Sequence, residues 1–344
     1  MKIGVNFQGI KCADYQNRPA VIQPPKNYIS DSFKIFAENG LNCVRVPVYW
    51  ESFEKDQSGF KEELDNISNQ ADKYNISCIY DNHQWMCSSY LGYGKGFPNS
   101  ILRPFFHRDN PENISLNKPN HNDLEKFWKG WWDRRLITAE GKEGWEAQLE
   151  YFTTVVNKLK DKKSTYGFEI LNEPQVFRQK DFKKVSYYND YFIKNIAKLT
   201  DKTLFFCYTS SGSLKAIEFP WNQSKTKSSI NIKNNIIFDI HPYPPSYILS
   251  IYYKLISRLL KNIPLFVGEF NSSVGENARI TAGQYKQYIK RLNNFSIPGG
   301  LFWQWSYIED AGHPAFNLTK IVNEIIHPNE NFENYIKAIK ENKD

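Results

Sequence analysis

Two glutamates in this chain stand where a buried strand would run out. "ILNEP" (170–174) ends an apolar run in Asn172, Glu173 and Pro174, and "VGEF" (267–270) carries Glu269 near the end of another. Carboxyl groups at the ends of two separate strands suit acid/base chemistry on one bond. Other strand-like runs also close on polar groups: Asp81-Asn82-His83-Gln84, Asp239-Ile240-His241-Pro242-Tyr243 and Trp303-Gln304-Trp305. Side chains alternate along a strand. Parity therefore predicts shared faces for Leu265, Val267 and Glu269, for Asp239, His241 and Tyr243, and for Asp81 and His83. It predicts the same for Leu301, Trp303 and Trp305, and for Glu169, Leu171 and Glu173. If Glu173 points into a site, Glu169 lies deeper beneath it. A buried carboxylate needs a partner, and Arg45, a charge inside "RVPVYW" (45–50), is the candidate. Asp81 and Asp239 read as buried partners of strand-end groups, not as catalysts.

Other chemistries find less support. His83, His241 and Glu269 could in principle gather round a metal ion, but there is no HxH or HExxH pairing, and neither metal nor cofactor is expected. Tyr208-Thr209-Ser210-Ser211-Gly212 offers hydroxyls without the GxSxG elbow of a serine hydrolase. His107, His121, His313 and His327 fall in loops or at helix ends, where solvation is the simple expectation.

These groups need a scaffold that gathers strand ends. Apolar runs of strand length recur at 2–9, 43–50, 77–84, 166–174, 203–210, 235–243, 264–271 and 299–306. Near-continuous apolarity points to strands covered on both faces, hence a parallel sheet. Helical spacing separates them at 29–39, 61–75, 145–160, 182–199, 247–261, 279–294 and 318–340. The fifth connection is weaker, with a short candidate helix at 213–218 and a polar loop at 221–230. Strand–helix alternation repeated eight times predicts a (β/α)8 TIM barrel, one domain over 1–344. A doubly wound open sheet is the alternative, but "NFQGIKCAD" has no GxGxxG after the first strand. One connection is anomalous: 85–144 reads as a long loop after the third strand, with ten aromatic residues. Such a loop lies over the catalytic face of a barrel. It is expected to be a cleft wall or lid, or a small subdomain packed on the barrel top.

Composition narrows the partners. Aromatics make up 16% of the 344 residues, which serves a core and also supplies flat platforms for sugar rings or bases. The net charge of +7 is dispersed, with no basic stripe interleaved with aromatics, so no nucleic-acid partner is expected. No 18-residue apolar run predicts a membrane span, and no secretory leader opens the chain. The expectation is a cytoplasmic protein or a secreted mature chain without its leader, working as a monomer. Five scattered cysteines without CxxC indicate neither a zinc site nor a redox pair.

Taken in order, "RVPVYW", "DNHQ", "ILNEP", "HPY", "VGEF" and "WQW" resemble the family 5 glycoside hydrolases over nearly the whole chain. The resemblance implies a retaining β-glycosidase with a carbohydrate substrate. It implies Glu173 as acid/base and Glu269 as nucleophile. By the same resemblance Asn172 would bond the 2-hydroxyl of the sugar at the cleavage point, and His83 would contact that sugar. Arg45 would lie under the nucleophile, His241 would touch the acid/base, Tyr243 the nucleophile, and Trp303 would be the stacking platform. An endo-β-1,4-glucanase of the cellulase kind is the leading expectation. Mannanase, exo-glucanase and glycolipid-cleaving activities, transglycosylation, and a non-catalytic sugar-binding barrel remain alternatives.

Overall fold

The computed structural model describes residues 1–11, 24–91, 93–107, 120–207, 236–243, 250, 253–254, 263–271, 281–308 and 316–342. Cys12, the hydroxyl-rich 208–212, the stretches 213–218 and 221–230, His313 and most of 247–261 lie outside the described residues.

The chain begins β1 (Lys2–Phe7), α1 (Tyr28–Glu38), β2 (Cys43–Val48), α2 (Trp50–Lys55), α3 (Gln57–Tyr74) and β3 (Ser77–Asn82). An insertion follows, made of the hairpin β4 (Trp85–Ser88) and β5 (Tyr93–Lys95) and the helices α4 (Asn99–Phe106) and α5 (His121–Trp132). Next come α6 (Gly144–Leu159), β6 (Thr165–Glu169), α7 (Phe182–Ile196), β7 (Thr203–Cys207), β8 (Ile236–Ile240) and β9 (Leu265–Phe270). The chain continues with α8 (Ala282–Asn294), β10 (Gly299–Trp305), the hairpin β11 (Thr319–Val322) and β12 (Ile325–Pro328), and α9 (Glu330–Glu341). The eight strands β1, β2, β3, β6, β7, β8, β9 and β10 close into a parallel barrel in which chain neighbours are sheet neighbours, and β10 returns to β1. This is the (β/α)8 TIM barrel.

Burial on both strand faces sorts the side chains. Cys43, Ile79, Phe205, Ile237, Phe266 and Leu301 form an apolar floor inside the barrel, with Tyr166 against it. The outward strand faces, with residues such as Val44, Val46, Phe168 and Phe238, join the helices in one larger core. Cys43, Cys78, Cys87 and Cys207 are buried and unbridged.

Simple alternation fails in three places. In β9, Leu265 and Val267 pack outward while Phe266 joins the floor. The register slips from Gly300 opposite Val267 to Phe302 opposite Phe270, one extra residue in β9. That bulge turns Glu269 inward just after Gly268. A Cβ at Gly268 would stand 1.8 Å from the Asp239 carboxyl, so only glycine fits. In β10 the register jumps from Val5 opposite Phe302 to Phe7 opposite Trp305. Trp305 therefore faces out, donating its Nε1–H to Ser32 Oγ at 2.8 Å and packing on Phe36. The Trp303–Gln304 peptide is cis. In the third place β6 ends at Glu169, and Leu171 packs in the outer core instead of sharing a face with Glu169.

One longer reading is also corrected. The stretch 318–340 is a hairpin followed by a helix. Its β-branched runs flank Asn323 and Glu324, whose φ of 50° and 62° make the turn. Asn329 then caps α9, accepting from Phe332 N. Of the forms expected for the insertion, its described residues fit the packed subdomain: Phe97, Phe127, Trp128 and Trp131 are at most 1% exposed and belong to the same core as the barrel. It is tied to the barrel top. Trp132 Nε1–H donates to Gln175 O at 2.8 Å. Arg178 bridges Asp133, at 3.0 and 3.1 Å, to Asp181.

Candidate active site

A polar layer lies directly above the apolar floor, and Arg45 is its centre. Arg45 is fully buried. Its Nε and Nη2 donate to both oxygens of Glu169, at 2.6 and 3.0 Å. Nη2 also reaches Asp81, at 3.0 Å, and Asn172 Oδ1, at 2.7 Å. Nη1 donates to Asn6 Oδ1 at 2.9 Å and to Glu269 Oε1 at 2.8 Å. One cation among so many carboxyls leaves negative charge in excess. Burial accordingly raises Glu169 well above the usual carboxylate range and Asp81 to about 8, against the pull of Arg45.

Glu269 behaves in the opposite way. Burial would raise it, but His241, Arg45 and the Tyr243 hydroxyl together hold it below its ordinary value. Tyr243 donates to Glu269 Oε2 at 2.5 Å. Both oxygens of Glu269 are thus hydrogen-bonded, which favours the anion. His241 stands between the two strand-end glutamates. Its Nδ1 lies 2.7 Å from Glu173 Oε1 and 3.8 Å from Glu269 Oε2, and its Nε2 lies 3.4 Å from Asp239 Oδ2. Burial disfavours charge on His241, but Glu269 and its other acidic neighbours outweigh that and raise its pKa well above 6.5. Glu173 is partly exposed, and its backbone φ is +37°, a conformation uncommon outside glycine.

His83 ends β3. Its Nδ1 meets Asp81 Oδ2 at 2.5 Å, and its ring stacks on Trp303 with centroids 5.6 Å apart at 12°. Burial and the Arg45 charge hold it well below 6.5, so its ring is neutral. Trp303 is half-buried, consistent with a face left for a ligand. Asn172 is less free than expected: its Oδ1 takes Arg45, and its Nδ2 donates to Gln84 O at 2.9 Å, leaving one N–H.

The structure brings together all eight residues singled out from the sequence: Arg45, His83, Asn172, Glu173, His241, Tyr243, Glu269 and Trp303. Arg45 lies under the nucleophile and pairs with Glu169, as its place inside the second strand led one to expect. Arg45 is too buried to touch a substrate and reaches the site through Glu269, Asn172 and Asp81. Asn6 was missed. Its amide bridges Arg45 and Gly268 O, the latter at 2.8 Å. The signal was available, because Asn6 is the polar interruption of an otherwise apolar first strand.

Among the described residues two sets of ligand-type atoms lie within 4.8 Å of one another: Glu169, Asp239 and His241, and Glu173, His241 and Glu269. His83 belongs to neither. Both sets include His241, whose two ring nitrogens already face Glu173 and Asp239, and Arg45 already occupies Glu169 and Glu269. The donor set suits hydrogen bonding better than metal ligation. Among the described residues no helix is long and apolar enough to cross a membrane.

The profile described as Cellulase (glycosyl hydrolase family 5) matches residues 3–309. No curated protein matches. Among solved structures, an endogalactoceramidase superposes with a TM-score of 0.70 at 14% identity, covering 98% of this chain and 80% of its own. Endo-glycoceramidase II from Rhodococcus sp., as its lactosyl-enzyme intermediate, gives 0.64 at 15% identity, covering 91% and 74%. An endo-β-1,4-glucanase from Xanthomonas axonopodis pv. citri gives 0.59 at 14%, covering 98% of both chains.

Proposed function

Because the chain belongs to glycosyl hydrolase family 5, we propose that it hydrolyses a β-glycosidic bond by double displacement, with Glu269 as nucleophile and Glu173 as acid/base. The observation that carries this reading is the spacing of the two carboxyls around His241. One oxygen of each lies within 4.8 Å of the other, which fits the about 5–5.5 Å of a retaining pair and not the wider inverting gap. Glu269 is kept anionic by Arg45 and Tyr243, ready to attack the anomeric carbon. Glu173 accepts from His241 through Oε1 and so keeps its other oxygen for the proton that the leaving oxygen takes. Once that proton is given, the new carboxylate faces the His241 cation. It can then draw a proton from the water that releases the sugar from Glu269. Trp303 and His83 form the wall on which that sugar stacks.

The leading substrate is a β-1,4-linked glucan cut internally, supported by the cellulase profile and the full-length overlap with an endo-β-1,4-glucanase. A glycolipid headgroup is the second reading, supported by the higher superposition on the two ceramide-glycan hydrolases.

Hydrolysis screened over β-glucan, mannan, xylan and glycolipid, with the anomeric configuration of the first product, tests both parts. Retained configuration is expected, and an inverted product overturns the mechanism. Glu269→Ala and Glu173→Ala should each lose nearly all turnover, at least about 1,000-fold. A Glu269→Ala enzyme that keeps a tenth of wild-type rate removes Glu269 as the nucleophile.

A further inference from the structure

Gln84 follows His83 at the end of β3 and is 1% exposed. Its Nε2 donates one hydrogen to Asn172 O, at 2.8 Å, and the other to Glu173 O, at 2.6 Å. Both hydrogens of the amide are then used, and two carbonyl partners fix which end of the amide is nitrogen. Its Oε1 has no partner. The side chain is thus placed to donate, and to donate at one spot. That spot is the peptide on either side of the Glu173 Cα, where φ is +37°. Asn172 returns the contact through Nδ2 to Gln84 O, and Asn172 N donates to Asn82 O at 3.0 Å. The insertion closes the lock from outside. Gly96 follows β5 and passes so near that a Cβ there would stand 2.5 Å from Gln84 Cβ and 3.0 Å from His83 O.

We infer that Gln84 is a positioning residue for proton donation: by holding both carbonyls that flank Glu173, it keeps the uncommon backbone turn that aims the Glu173 carboxyl at His241 and the leaving oxygen. This deepens the hydrolase reading above and rests on it. Both amide hydrogens of Gln84 go to backbone carbonyls and none to a side chain of the site. Its effect is confined to the step in which Glu173 moves a proton.

Leaving-group dependence separates that role from a general contribution to folding. A dinitrophenyl glycoside departs without help, whereas a plain phenyl glycoside needs the proton from Glu173. Wild type, Gln84→Met and Gln84→Asn are compared on dinitrophenyl and phenyl β-cellobioside, or on the lactosides if wild type prefers them. Gln84→Met matches the size without the donor. Gln84→Asn keeps the amide but cannot reach, and serves if the first variant is poorly folded. Glycosylation, read as kcat/KM, is expected to fall about 100-fold on the phenyl substrate and less than about threefold on the dinitrophenyl substrate. Equal losses on both substrates, or none on either, overturn the assignment. The aryl glycosides carry whichever sugar the glycan screen shows wild type to cleave; if wild type cleaves no glycan of that screen and no aryl glycoside, the hydrolase reading itself fails, a result distinct from equal losses in the variants.

Discussion

His241 carries the most testable charge in the site, because it joins the acid/base to the nucleophile. Its folded pKa is raised well above 6.5 by Glu269 and its other acidic neighbours, against burial. The sign follows: a histidine with a raised folded pKa contributes stability that is present below its unfolded value and is lost as pH rises through its folded value. Thermal unfolding of wild type and His241→Asn across pH should therefore show the largest difference on the acid side of 6.5 and a shrinking one under alkaline conditions. A difference that grows with pH would mean that His241 is neutral in the folded protein. Residue types and strand-end positions made these groups legible in the sequence. Their directions were only partly so. Parity placed Glu269 with Val267, but Val267 faces out, and Glu269 faces in only because a bulge follows Gly268. A bulge is decided by fit against neighbouring strands, here the Asp239 carboxyl beside Gly268, and period-2 reasoning along one strand has no access to that.

The insertion between β3 and α6 is the element that most exceeds its sequence reading. Its length and aromatic content were plain, but its hairpin strands are four and three residues long, too short for a periodic pattern to register. What joins the hairpin to α2 is Glu51, whose Oε2 accepts from Ser89 N and Ser89 Oγ, both at 3.2 Å. Burial pushes Glu51 up to about 8, against the hydrogen bonds of Ser89. An acid that releases its proton near 4.5 when unfolded but near 8 when folded costs stability progressively as pH rises between those values. Glu51→Gln keeps an acceptor and removes the titration. It should match wild type near pH 4.5 and exceed it by about 2–4 kcal/mol at pH 8, measured by denaturant unfolding. Equal stability across that range would mean that Glu51 is ionised in place. The hairpin of β11 and β12 was misread for a related reason. Ile321, Val322, Ile325 and Ile326 satisfy helical spacing as readily as alternation, and only the turn at Asn323 and Glu324 distinguishes them.

At the scale of the molecule, the alternation of strands and helices was enough to predict the barrel, because covering both faces of every strand leaves an unmistakable apolar run. The layered interior was not visible in that pattern. A floor of six side chains beneath a charged layer depends on which residues of different strands share a level, and registers such as Arg45 opposite Ile79 and Asp81 opposite Glu169 set that. Among the described residues the insertion and the barrel share one continuous core. The buried cysteines sample both parts: Cys87 lies in β4, Cys43 in the floor, and Cys78 and Cys207 in β3 and β7. Burial pushes the Cys43 thiol up to about 12 and the other three higher than usual as well, so none is a useful nucleophile while the protein is closed. The four thiols are thus internal clocks. Alkylation under native conditions, followed site by site by mass spectrometry, times the opening of each region. One shared rate for Cys87 and Cys43 is expected of a single cooperative unit, whereas early capture of Cys87 alone would mark the insertion as a lobe that breathes on its own.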